Sequence, residues 1–236
     1  MKIKANILFD FVRKVSVNGA VEGSCYNATE SGLKVITKDS TNQVIAEGLL
    51  RKEAFAVYDD TKLLVRNNKR CMDFLSQFGN VEVTLSNVEN DLIISGKIGV
   101  RTFNANMKSV SEDMLDGNLK EIPASLSFDM KPLRVNCDIL SSAKKHTDML
   151  KTKSMTLTGA NNKLSVTVGE DQFDLITQEQ ELVTDDFKVK LPEMFLQVVD
   201  VVAGEVDMFV KTDYPIKLVE KTKDYELSII TAPISE

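Results

Sequence analysis

One histidine, no tryptophan and three cysteines are all that this 236-residue chain has of several side chains used for metal and nucleophilic chemistry. A histidine-based metal site or a Ser-His-Asp triad has only His146 to draw on. It follows Lys144-Lys145 at the end of a helical pattern, where a solvent-facing ring is the plain expectation. Cys25, Cys71 and Cys137 are odd in number, widely spaced and without a CxxC, so neither a disulfide framework nor a zinc site fits. Each lies among apolar neighbours and reads as a buried free thiol. Neither GxxxxGK[ST] nor GxGxxG occurs, so no phosphate-cradling glycine loop is expected. Asp59-Asp60 and Asp185-Asp186 sit beside predicted strands and read as solvated turn carboxylates. No enzyme activity, cofactor or metal is expected. Long apolar runs are missing too: nothing approaches the ~20 residues that span a bilayer. The start, MKIKANILFDFVRK, lacks the apolar block of a signal peptide. The expectation is an intracellular chain with no membrane partner.

What is present is ordinary globular material, 43% apolar and 27% charged, enough for one large domain or two of roughly 100–120 residues. Short β-runs recur: GLKVIT (32–37), QVIAEGLL (43–50), VEVTL (81–85), DLIISG (91–96) and VRTFNANM (100–107). In the second half come SLSFDM (125–130), SMTLTG (154–159), KLSVTV (163–168), FKVKL (187–191) and VDMFV (206–210). KLSVTV and FKVKL alternate as strands with one buried face do. NVEND, GANNK and GED supply turns between them.

Four segments carry helical spacing instead. Ile7, Leu8, Phe11, Val12 and Val15 share one face near 7–17, and Cys71, Met72, Leu75 and Phe78 do so near 66–78. Val135, Ile139, Leu140 and Ala143 predict a third helix near 132–145, opened by Pro132. Met194, Phe195, Val198, Val199 and Val202 predict a fourth near 192–203, also opened by a proline. The order strand, helix, several strands, helix, strands then starts again near residue 125, an architectural repeat. The predicted class is α+β: two similar domains of antiparallel sheet, each with two helices. Their bounds are 1–107 and 125–236, with 108–124 as a connecting loop that contains Gly117 and Pro123.

A net charge of −6 argues at first against nucleic acid, but a sum says nothing of where the cations gather. Arg66, Lys69 and Arg70 share a face with Asp73 and Gln77 on the second helix. Arg134, Asp138, Ser141 and Lys145 form a row on the third, with Lys144 nearby. Arg13 lies opposite the core face of the first helix and Lys14 at its border. The fourth helix presents Glu193, Gln197 and Asp200 and no cation.

Several strings resemble the sliding clamps of the proliferating cell nuclear antigen (PCNA) type. SCYNATESGLKVITKDSTNQV (24–44) resembles their cysteine-containing strand and the loop that follows, with Asp39-Ser40 matching. NLKEIPAS (118–125) resembles the end of their connecting loop, with Ile122-Pro123 matching. CDILS (137–141) resembles the start of their third helix. DYPIKLVEK and IITAPISE resemble the penultimate strand and the ending, with Ala232-Pro233 matching and Ile230-Thr231 in place of Tyr-Leu.

The resemblance implies a ring, usually of three subunits, with helices lining a hole and sheets outside. A homotrimer that encircles double-stranded DNA without sequence preference is therefore expected, located with the DNA in nucleus, nucleoid or cytoplasm. The DNA-facing candidates are Arg13, Lys14, Arg66, Lys69, Arg70, Arg134, Lys144 and Lys145. The acidic fourth helix sets DNA closer to the other three. Subunits are expected to pair through Val100, Thr102 and Asn104 on one edge and Phe173, Leu175 and Thr177 on the other. DNA polymerase, clamp loader and other motif-bearing partners are expected at a groove formed by Asp39, Val44, Ile45, Leu119, Ile122, Pro123, Pro215, Ala232 and Pro233. Two alternatives stay open: a checkpoint-type or heteromeric clamp subunit, and a β-rich interaction scaffold without DNA contact.

Overall fold

The computed structural model of the chain describes residues 1–88, 91–108, 111, 115, 119, 121–169, 175–182 and 185–234. The chain divides into two compact units, Met1–Ile122 with Lys221–Leu227, and Pro123–Glu220 with Ser228–Glu236. The expected connecting segment is thus counted up to Ile122 with the first unit. There Leu115 is buried and the Leu119 amide donates to Ile36 O at 2.9 Å.

The first unit runs β1 (Lys2–Lys4), α1 (Ala5–Val15), β2 (Ser24–Thr29), β3 (Gly32–Lys38), β4 (Val44–Arg51), β5 (Phe55–Val57) and β6 (Leu63–Val65). It continues with α2 (Asn68–Ser76), β7 (Glu82–Val88), β8 (Asp91–Ile98) and β9 (Arg101–Met107). One sheet has the order β5-β1-β7-β8-β9, and β4-β3-β2-β6 lie side by side in another. All the pairings recorded among these strands are antiparallel. Strand β4 alternates strictly, with Val44, Ala46, Gly48 and Leu50 turned inward. Helix α1 buries Leu8, Phe11, Val12 and Val15, the i, i+3, i+4, i+7 stripe of an amphipathic helix. It sits close to β4: a β-carbon on Gly48 would lie 2.5 Å from Val15 Cγ1 and 2.8 Å from Phe11 Cε2. The stretch Lys221–Leu227 completes this unit. The Arg51 amide donates to Asp224 O at 2.8 Å, and the Tyr225 ring lies 6.1 Å from Phe11.

The second unit runs β10 (Leu133–Asn136), α3 (Cys137–Leu150), β11 (Met155–Ala160), β12 (Lys163–Val168), β13 (Ile176–Glu181) and β14 (Phe187–Leu191). Helix α4 (Glu193–Val199) follows, then β15 (Glu205–Phe209), β16 (Ile216–Lys221) and β17 (Tyr225–Thr231). One sheet has the order β13-β12-β11-β14, and β10, β15, β16 and β17 are successive neighbours in the other. Strands β11 and β12 meet at Asn161-Asn162, with φ of 53° and 59°. Two left-handed residues in a row give the turn whose twist matches a hairpin. Among the described residues both units follow strand, helix, a run of strands, helix and three strands, which is the repeat read from the sequence.

Two expectations are corrected. No helix opens at Pro132: residues 133–136 form β10 and pair with β15 from Leu133↔Met208 to Asn136↔Glu205. The period there is two, with Val135 buried between exposed Arg134 and Asn136. The helix starts only where Asn136 Oδ1 accepts from the Asp138 amide at 2.9 Å, an N-cap that the proline obscured. The run SLSFDM forms no strand either. The Ser127 amide donates to Tyr214 Oη at 3.0 Å, and Phe128 packs 5.6 Å from the Tyr214 ring and 6.4 Å from Phe209. Ring contacts and one hydroxyl hold this segment where a ladder was expected.

Replacing Gly48 by alanine forces α1 off β4. It is expected to lower stability by about 1–3 kcal/mol, as overpacking does. Urea unfolding measures this, and an unchanged midpoint would show that α1 is free to step outward.

Candidate functional site

Eight cations were candidates for a DNA-facing surface, and their environments differ. In α1, the Arg13 guanidinium meets Asp10 Oδ1 at 2.9 Å. Lys14 is only 2% exposed, with its ammonium 5.6 Å from the centroid of the Tyr225 ring. The sequence set it at the border of the helix. The distant stretch Lys221–Leu227 turns that border into interior, so Lys14 is withdrawn from the candidates.

Around α2 the cations stand in the open. Arg66 precedes the helix, and the Asn67 side chain caps it by accepting from the Arg70 amide at 2.7 Å. Arg66, Lys69 and Arg70 are all exposed, and none has an ion-pair partner among the described residues. Arg134 is corrected. It lies on β10, not on a helix, opposite in the pleat to buried Val135, and its Nε sits 2.9 Å from Glu205 Oε2. The side chain therefore projects from the face of its strand that is turned away from the core.

The acidic surface of α4 also has an explanation. Asp200 pairs with Lys144, and Glu193 pairs with Lys153 at 3.2 Å. The residues of each pair are 40 or more positions apart in sequence, beyond any local pattern. Lys144 is thereby neutralised, while Lys145 stays exposed with no ion-pair partner among the described residues. The exposed unpaired candidates are thus Arg66, Lys69 and Arg70 in the first unit and Lys145 in the second.

The docking candidates divide between the units. Asp39, Val44, Ile45, Leu119 and Ile122 belong to the first; Pro123, Pro215, Ala232 and Pro233 belong to the second. Asp39 is 2% exposed and faces its own loop. Its carboxylate accepts from the Val44 amide at 2.6 Å, from the Thr41 amide at 2.9 Å and from the Thr41 hydroxyl. It closes the β3–β4 loop and offers no face to a partner. Val44 is buried in the core side of β4, whereas Ile45, Leu119 and Ile122 are half-buried. In the second unit Pro123 is exposed, and Pro215, Ala232 and Pro233 are half-buried. The Ile234 amide donates to Lys190 O at 2.9 Å, fastening the segment after β17 to β14.

The assembly candidates fall at the ends of sheets. Strand β9 ends its sheet, with Thr102 and Asn104 exposed and Val100 94% exposed in the turn before it. Strand β13 ends the other. Leu175 is 49% exposed beside it, Thr177 Oγ1 lies 3.0 Å from Thr167 Oγ1, and Phe173 lies outside the described residues. On the inner side of β13, Gln178 Nε2 lies 3.0 Å from His146 Nδ1 and 2.9 Å from Ser142 Oγ. The lone histidine is therefore half-buried and tied to β13, not the solvent-facing ring expected.

The remaining chemistry is quiet. Cys25, Cys71 and Cys137 are all buried, and burial pushes the Cys71 thiol up to about 12. Burial likewise raises Tyr26, whose hydroxyl lies 3.3 Å from Asn68 Oδ1. Among the described residues no three His, Cys, Asp or Glu side chains converge as a metal ion needs, and no helix is long and apolar enough to cross a membrane.

Two successive units of antiparallel sheet, each with two helices, have the fold of the DNA sliding clamps. The particular likeness is to structures of PCNA. The crystal structure of the Entamoeba histolytica protein matches with a TM-score of 0.79 and 15% identity, covering 99% of this chain and 98% of that one. The A. fulgidus PCNA bound to the C-terminal region of FEN-1 matches with a TM-score of 0.80 and 16% identity, over 100% and 98%. A PCNA2-PCNA3 complex from Sulfolobus tokodaii gives 0.80 and 16%, over 100% and 99%. No protein-family model matches the sequence, and no curated protein resembles it closely enough to match.

Asp39→Ala removes the acceptor for two backbone amides. It is expected to cost about 1–3 kcal/mol and to speed hydrogen exchange at Val44 and Thr41; unchanged exchange there would mean the loop closes without it. Thiol titration with a disulfide reagent is expected to find no reactive cysteine in the folded protein and three after denaturation. Rapid labelling of the native protein would contradict the burial of these thiols.

Proposed function

We propose that this chain is the subunit of a DNA sliding clamp, a non-enzymatic ring that encircles duplex DNA and tethers a polymerase and other DNA enzymes. The observation that carries this reading is the likeness to PCNA structures over nearly the full length of both chains. Two features of the chain support it. Among the described residues β9 ends a sheet in the first unit and β13 ends one in the second, each with a neighbour on one side only, and head-to-tail pairing of such edges closes a ring. The chain is acidic as a whole yet keeps Arg66, Lys69 and Arg70 exposed and, among the described residues, unneutralised. Such a cluster suits a sequence-independent hold on phosphates. Homotrimer closure and attachment of partners through apolar residues that include Ile45, Leu119 and Ile122 are parts of the same proposal. A neighbour with a bound peptide region and one made of two different subunits are the precedents for docking and for mixed rings.

Light scattering after size exclusion is expected to give a trimer mass, and primer extension on a circular template is expected to give longer products with the protein present. Monomers at high concentration together with unchanged processivity would sink the proposal. Assembly only after a second, different subunit is added would replace the homotrimer by a mixed ring. Changing Arg66, Lys69 and Arg70 together to glutamine is expected to leave assembly intact. The salt slope of DNA retention should become shallower by about one unit for each phosphate that is no longer neutralised. Unchanged retention at every salt concentration would show that these three cations do not hold the DNA, and no retention of the unaltered protein would favour a scaffold that does not touch DNA.

A further inference from the structure

A concavity of about 270 Å³ opens on the first unit, lined by Glu22, Arg66, Asn67, Arg70, Met107 and Lys108. Among the described residues its lining sets three cations against one carboxylate. The guanidinium groups of Arg66 and Arg70 have no ion-pair partner among the described residues. Lys108 meets Asp91 at 2.5 Å while its side chain remains 79% exposed. Asn67 uses its carbonyl oxygen on the Arg70 amide, which leaves its NH2 as a donor. The volume falls short of the ~300–1,000 Å³ typical of pockets for drug-sized molecules, so the fitting ligand is small. Guanidinium pairs match the oxygens of a phosphate in a forked geometry that a lone ammonium cannot give.

We propose that this concavity is a seat for a terminal phosphate group, such as a phosphomonoester or a small oligophosphate. The proposal shares Arg66 and Arg70 with the DNA-facing surface above but asks something different of them. An internal phosphodiester is flanked by sugars on both sides and lies along the convex backbone of a duplex, so it touches the rim. A phosphate at a chain end, or in a small molecule, has three oxygens available and can enter. Lys69 lies on the same helix as Arg70 and is also exposed, yet is not among the residues that line the concavity. It therefore separates a shaped seat from a diffuse basic surface.

Calorimetric titration of pyrophosphate at low ionic strength tests this on the intact chain. Arg66→Gln with Arg70→Gln is expected to weaken binding at least about tenfold, and Lys69→Gln by no more than about twofold. Lys108→Gln, elsewhere in the lining, is a second variant if the first proves unstable, and circular dichroism checks folding of each. Equal weakening by Lys69→Gln, or no binding by the unaltered protein at millimolar pyrophosphate, overturns the seat. Hairpin duplexes ending in a 5′ phosphate or a 5′ hydroxyl identify the source. A preference for the phosphorylated end, abolished in the double variant, assigns the seat to DNA ends; pyrophosphate binding without that preference assigns it to a free oligophosphate. Pyrophosphate binding by a protein that neither assembles nor lengthens primer-extension products would end the clamp reading and leave the seat standing.

Discussion

A sheet edge is a row of backbone N–H and C=O groups that must find partners or water. Each unit of this chain ends a sheet in such a row, β9 in the first and β13 in the second. Their composition suits that position. The exposed positions of β9 are Arg101, Thr102, Asn104 and Asn106, and those of β13 are Thr177, Glu179 and Glu181. Polar outer positions keep a solitary edge hydrated, while exposed Val100 and Leu175 beside the strands offer apolar surface to a matching edge. Under the proposed ring, the strands are stable enough to wait in water and gain by meeting.

Much of the architecture was legible because it is written in local periods. The stripe of Leu8, Phe11, Val12 and Val15 marks α1, the alternation of KLSVTV marks β12, and the repeated order of elements marks the two units. The errors came where a local signal competed with a distant one. Pro132 looked like a helix opener, but LRVN has the period of a strand and its partner lies some 70 residues on. Lys14 looked like a surface cation until residues 221–227 covered it. Asp39 matched a family landmark by identity, yet its role is set by where its oxygens point, toward the amides of its own loop.

The site was legible to the same degree and for the same reason. Cations that simply stand exposed, such as Arg66, Lys69 and Arg70, follow from helical spacing. Residues whose charge is cancelled by a remote partner do not. The acidic surface of α4 seemed a departure from a basic lining, and the pairs Lys144–Asp200 and Lys153–Glu193 explain it. Acid on one element answers base from another, so counting the charges of a single helix misjudges the field at its surface.

With those pairs set aside, Arg66, Lys69 and Arg70 stand exposed around α2 without an ion-pair partner among the described residues, on a chain whose net charge is −6. A polyanion meets net repulsion from such a chain at a distance and attraction close to the cluster. The result is an orientational filter. Under the proposed clamp, duplex DNA is held best when it arrives facing the cationic cluster. Raising the salt concentration weakens the repulsion and the attraction together, so the filter loses selectivity as well as strength. Under the proposed clamp, discrimination between a threaded and a merely adsorbed duplex would thus rest on the balance of net charge and cluster, and on no single side chain.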